Sequence, residues 1–191
     1  MIVAFIFIAA LVIGLIVWVV ISRQKPDAAW QQLANEIGAE FVGGGFFRSS
    51  KVQTHIKDSI VTLDTYSVPS GDSSDTYTRI RAPFQNRDGF QFTIFRTGLV
   101  SKLDKALGAQ DIDIGDADFD RDFTIQGNNE SRVRALFSNQ RIRHLIQMQK
   151  SIRLGIRNNE LVFEAQGVIK DIERLKSLFE LLREVLGRLE G

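Results

Sequence analysis

The chain has 191 residues, 24 of them Lys or Arg and 23 Asp or Glu, for a net charge of +1. So close a balance gives no electrostatic argument for a nucleic-acid partner or an acidic substrate. Cysteine is absent, which excludes disulfides, thiolate metal sites and thiol nucleophiles but leaves the compartment open.

From Ile2 to Ile21 no side chain is charged or strongly polar. At the rise of an α-helix this run spans about 30 Å, the thickness of a hydrocarbon core, and a helix satisfies its backbone where no water can. The sequence therefore predicts a transmembrane anchor over 1–22, with residues 2–21 in the lipid bilayer. A cleaved secretory signal fits less well, because such signals have basic residues ahead of a run of roughly 7 to 15 residues and a small-residue cleavage site after it. Here Ser22, Arg23, Gln24, Lys25 and Pro26 come next instead. Arg23 and Lys25, in a basic juxtamembrane linker over 23–26, favour a cytoplasmic location for the remainder of the chain, and Trp18 suits the same interface. The expectation is a signal-anchored, single-pass protein of the cell membrane with one cytoplasmic, soluble domain over 27–191.

That domain opens with a predicted short helix in which Trp30, Leu33, Ala34 and Ile37 recur at three and four residues, stopped by Gly38. After the Gly43-Gly44-Gly45 turn, Val52–Lys57 and Ile60–Tyr66 read as a hairpin turning at Asp58 and Ser59, with Ile56 opposite Val61. Pro69–Asp75 reads as a mobile polar loop. Strands are expected over Thr76–Ala82, ended by Pro83, and over Phe90–Phe95. Val100, Leu103 and Leu107 suggest a helix closed by Gly108, and another strand runs through Phe123 and Ile125.

Val133, Leu136 and Phe137, then Ile142, Leu145 and Ile146, mark two consecutive helices. Asn158-Asn159 suits a turn needing positive φ, which pairs Ile156 with Leu161, Leu154 with Phe163, Arg157 with Glu160 and Arg153 with Glu164. The last helix carries Ile172, Leu175, Phe179, Leu182, Leu186 and Leu189 at alternating three and four spacing. This order is an α+β pattern: a mainly antiparallel sheet, paired helices and a C-terminal amphipathic helix. A partly closed barrel resembling the pleckstrin-homology fold is the alternative, and the helices between Asn129 and Gln149 count against it.

Four features invite a functional reading. Asp111, Asp113, Asp116, Asp118, Asp120 and Asp122 form an acidic run able to supply oxygen ligands to a divalent metal, with Asp111, Asp113, Asp116 and Asp118 the candidate ligands. The EF-hand pattern fails there, since Gly115 and Asp116 are misplaced and no Glu closes the loop. Arg132, Arg134, Arg141, Arg143 and Lys150 form a basic stretch suited to anionic lipid headgroups or a partner. It lacks the aromatic interleaving of a nucleic-acid reader. His55 and His144 have no companions of catalytic type, and no nucleophile elbow, zinc helix, phosphate loop or dinucleotide fingerprint occurs. The last helix offers a heptad-like seam for a homo-oligomer, although Leu178, Leu181 and Val185 widen it toward docking on its own sheet.

Trp30-x-x-Leu33-Ala34-x-x-Ile37-Gly38, Asp64-Thr65-Tyr66 and Ile114-Gly115-Asp116-x-x-Phe119-Asp120-x-x-Phe123 resemble a family of bacterial single-pass membrane-anchored proteins with no assigned activity. The resemblance implies a prokaryotic anchored domain and carries over no catalytic residue or cofactor. The expected function is a membrane-tethered binding or scaffolding module, without catalysis, for a protein partner. A metal-dependent enzyme using the loop 111–122 and an anionic-lipid-binding domain are the two alternatives.

Overall fold

The computed structural model describes residues 27–45, 49–71, 73–98 and 110–190. The apolar run 2–21, the basic pair Arg23 and Lys25, and the helix expected around Val100 lie outside the described residues. No helix among the described residues is long and apolar enough to cross a membrane.

Helix α1 (residues 27–37) buries Trp30, Leu33 and Ala34 and stops at Gly38, whose φ of +67° needs no Cβ in the way. It is followed by β1 (Glu40–Val42), β2 (Lys51–Ile56), β3 (Ser59–Ser70), β4 (Ser73–Pro83), β5 (Phe92–Arg96) and β6 (Gln110–Asp111). The second half contains α2 (Ala117–Asp122), β7 (Phe123–Gly127), α3 (Glu130–Phe137), α4 (Gln140–Gln147), β8 (Arg153–Arg157), β9 (Glu160–Gln166) and α5 (Ile172–Leu189). The fold is α+β: nine strands form one sheet in the order β1-β2-β3-β4-β9-β8-β5-β7-β6, every neighbouring pair antiparallel.

The sheet is open, so the partly closed barrel does not form. Its edges are β1, with three residues, and β6, with two, and each pairs on one side only. Strands that short offer too few hydrogen bonds to close a barrel.

One face of the sheet meets the helices. Leu63, Ile80, Phe163, Leu154, Ile94 and Ile125 point from six strands into a single core with Trp30, Phe119, Phe137, Leu145 and Leu182 of α1 to α5. Phe137 meets Phe92 edge-on at 5.5 Å between ring centroids, and Phe119 lies 4.8 Å from Phe123. The α5 seam is consumed in this core, with Leu175, Phe179, Leu182 and Leu186 all buried together with Leu178, Leu181 and Val185. The helix therefore docks on its own sheet through its full apolar width.

Two connections depart from the sequence expectation. The β2–β3 turn falls at Lys57 and Asp58, pairing Ile56 with Ser59 and Thr54 with Val61 rather than Ile56 with Val61. A slip of two residues leaves every inward side chain inward, so hydrophobic patterning does not select between the registers. The buried Ser59 hydroxyl, which donates to the Pro83 carbonyl, favours the observed one. Pro69–Asp75 is also not an open loop, since Val68 pairs with Asp75, Pro69 with Ser74 and Ser70 with Ser73. These residues form an arm beyond the core, which explains their polarity. Proline is tolerated in it because residue pairs alternate their bonding direction along a strand and the missing N–H of Pro69 faces the edge that β2 leaves free.

The β8–β9 hairpin pairs as the sequence predicts, from Arg157 with Glu160 to Arg153 with Glu164. Asn158 and Asn159 turn it with φ of +51° and +61°. Gly155 lies opposite Thr93, where a Cβ would come within 2.5 Å of the Phe92 carbonyl oxygen, so only glycine lets β5 approach β8.

Candidate functional site: the uncovered sheet face

Every described helix buries its stripe on one side of the sheet, and the residues between the inward ones therefore form a second face. A lateral row crosses it in register: Asp64 on β3 opposite Arg79 on β4, Arg79 opposite Glu164 on β9, Glu164 opposite Arg153 on β8, and Arg153 opposite Phe95 on β5. The four charges alternate in sign, which is the favourable cross-strand arrangement.

The row is tightly bonded. Arg79 grips Asp64 with two parallel bonds of 2.9 Å, from Nε to Oδ1 and from Nη2 to Oδ2, and Arg81 adds a third at 3.0 Å. The Arg79 guanidinium lies 4.9 Å from the Tyr66 ring centroid, and Tyr66 stacks on Tyr77 at 5.4 Å. Tyr66 donates to Glu164 Oε1 at 2.8 Å, while Arg157 reaches Glu164 Oε2 at 3.3 Å along the side of β8 that Gly155 leaves bare. Burial, then the hydrogen bond and negative charge of Glu164, push the Tyr66 phenol up to about 12.

Apolar groups lie beneath this polar surface. Phe95 and Val162 are 4% and 8% exposed yet belong to no part of the helix-side core. The face thus combines fixed charges and a stacked tyrosine pair above two buried apolar side chains. Its charges compensate one another, so it presents shape and hydrogen-bonding pattern rather than net charge.

The basic stretch does not converge. Arg132 pairs with Asp88 and covers Phe90, Arg134 pairs with Glu130 on its own helix at 2.9 Å, Arg141 turns to Glu180 of α5, and Arg143 to Asp116 at 3.3 Å. Arg143 also donates to the Phe137 and Ser138 carbonyls at the end of α3. Lys150 is exposed between α4 and β8. Each of the four arginines thus has an acid partner on the protein, and they face four different elements.

The acidic segment is likewise engaged in local structure. Asp116 caps α2 by accepting from the Phe119 amide, and Asp120 accepts from the amides of Ile114 and Gly115, both at 3.0 Å. Asp118 and Asp122 flank Arg121, Asp111 accepts from Gln126, and Asp113 is exposed. Among the described residues no three His, Cys, Asp or Glu side chains are grouped to hold a metal. His55 and His144 are both exposed, far apart in the chain and on separate elements.

Sequence reasoning pairs Arg153 and Arg157 with the acids of β9 but misses Asp64, Arg79, Arg81 and Tyr66 as members of the same surface. The available signal is their alternation with Val61, Leu63, Ile80 and Ala82 along two strands. The β4–β9 pairing that joins them spans a large sequence separation, and periodicity within a strand carries no information about it.

No protein-family model, curated protein or solved structure matches the chain. The motifs that resemble the bacterial anchored family occupy mainly structural positions: the buried stripe of α1, the Asp64 and Tyr66 row, and the cap and buried phenylalanines around α2.

Proposed function

We propose that the chain is a membrane-tethered binding module that meets a protein partner with the uncovered face of its sheet. The observation that supports this reading is the face itself: a broad antiparallel surface, left bare by the described helices, on which hydrogen bonds and stacking fix the side chains before any partner arrives. Fixed side chains lose little conformational entropy on binding, which raises the affinity available from a given contact area.

The apolar run 2–21 is the tether in this account, with Arg23 and Lys25 holding the domain on the cytoplasmic side. Asp27 is bonded by the Ser50 hydroxyl just before β2, and Ser50 in turn accepts from the Gly44 amide at 2.9 Å. The five residues 22–26 reach at most about 18 Å from this fixed point, which keeps the domain against the bilayer. Confinement raises the effective concentration of any partner in the same membrane, so a modest intrinsic affinity suffices.

The test is site-specific photo-crosslinking in cells. A crosslinker at Thr62 or Gln166, on the uncovered face, is expected to give a discrete protein adduct that weakens when residues 1–26 are removed. Crosslinkers at Gln147 or Arg183, exposed on the helix side, are expected to give none. Equal adducts from both sides, or none from the face, would sink the reading.

A further inference from the structure

At the end of the sheet away from Asp27, the last turn of α5 comes beside the β2–β3 turn, where Lys57 lies 3.7 Å from Glu190. Here Phe90, Ala135, Leu136 and Leu189 line a cleft of about 150 Å³, and Arg132 and Arg188 stand at its rim. From this geometry we infer a binding site for a small amphipathic carboxylate, a monoanion with a short alkyl or aromatic body. The inference does not rest on the sheet-face reading, since the two sites share no residue.

The apolar lining selects the body of the ligand. Ala135 and Leu189 form the open apolar walls of the cleft, with Phe90 and Leu136 nearly all buried beneath them, so an apolar group lodged between those walls leaves water. A volume well below the roughly 300 Å³ of the smallest drug-sized sites limits the occupant to a fragment such as benzoate or a short fatty acid.

Charge selects the head. Arg132 lies over the Phe90 ring, 4.3 Å from its centroid, and pairs with Asp88. That pair neutralises one of the two guanidiniums. Arg188, exposed in the last turn of α5, makes no ion pair among the described residues, which leaves one guanidinium beside the cleft for a monoanion. Guanidinium donors suit the two oxygens of a carboxylate.

The full chain in detergent, with its leucine methyls isotope-labelled, provides the test. Titrated benzoate is expected to shift the Leu136 and Leu189 methyl resonances with millimolar affinity, and benzyl alcohol, which has the same body without the charge, to bind at least about tenfold more weakly. Arg188→Gln, an exposed substitution that leaves the core intact, is expected to weaken benzoate about fivefold, the worth of one solvent-exposed ionic contact. Absence of the methyl shifts, equal binding of benzyl alcohol, or an unchanged affinity in Arg188→Gln would each overturn the site.

Discussion

Tyr66 on β3 donates its phenolic proton to Glu164 on β9 at 2.8 Å, bridging two strands that β4 keeps apart. The acceptor carboxylate is only 9% exposed, so losing this donor leaves a charged oxygen short of a partner in a place that water reaches poorly. Tyr66→Phe should therefore destabilise the protein by about 1–2 kcal/mol, a cost above that of a surface contact. Denaturant titration measures it, and a change indistinguishable from zero would mean that the bridge contributes nothing.

The same phenol makes stability depend on alkaline pH. Its folded value near 12 lies above the ordinary value of 10, so between those limits the folded state keeps a proton that the unfolded state releases. The contribution is fully present below pH 10 and is lost as pH rises toward 12. Allowing for solvent screening at a half-exposed position, the loss amounts to about 1 kcal/mol. Tyr66→Phe should flatten this part of the pH profile, and parallel profiles for the two proteins would count against the bridge as its cause.

Two glycines separate close packing from conformational freedom. Gly155→Ala drives a methyl to within 2.5 Å of the Phe92 carbonyl and is expected to cost about 2–3 kcal/mol by prying β5 from β8. Gly187 lies inside α5 with nothing within 4 Å of a built Cβ, so Gly187→Ala should stabilise by about 0.5–1 kcal/mol. Thermal melts of both variants check the pair, and equal effects would contradict the geometry.

Local chemistry is readable from the sequence wherever neighbours in sequence become neighbours in space. The Asn158–Asn159 hairpin, the α1 stripe and the α3, α4 and α5 helices come from adjacent residues alone, and they form as expected. The β2–β3 register is not readable in this way, because it turns on a bond from Ser59 to Pro83, a residue of another strand. The polar arm is illegible for a related reason: strands outside a core need no apolar alternation, so Pro69–Asp75 reads as a loop. The uncovered face is least legible, since its central row joins β3, β4, β9 and β8 through pairings set by topology.

The acidic segment yields a prediction opposite to its appearance. Asp120 holds two backbone amides, so Asp120→Ala should lower stability by about 1–2 kcal/mol whether or not divalent cations are present. Saturating calcium, magnesium or manganese should leave the melting temperature of the parent protein unchanged. A rise on adding metal that Asp120→Ala abolishes would restore the metal reading, since a ligand that prefers the folded state must stabilise it.

The absence of cysteine allows a direct test of the central claim that the uncovered face is occupied by a partner at the membrane. The measurement compares thiol labelling rates of Thr62→Cys, on that face, and Arg183→Cys, on the helix side, in native membranes and after purification in detergent at high salt. The account predicts that Thr62→Cys reacts several-fold more slowly in native membranes than after purification, while Arg183→Cys reacts alike in both. Thr62→Cys reacting equally fast in both preparations would show the face to be bare where the protein works, and would contradict the account.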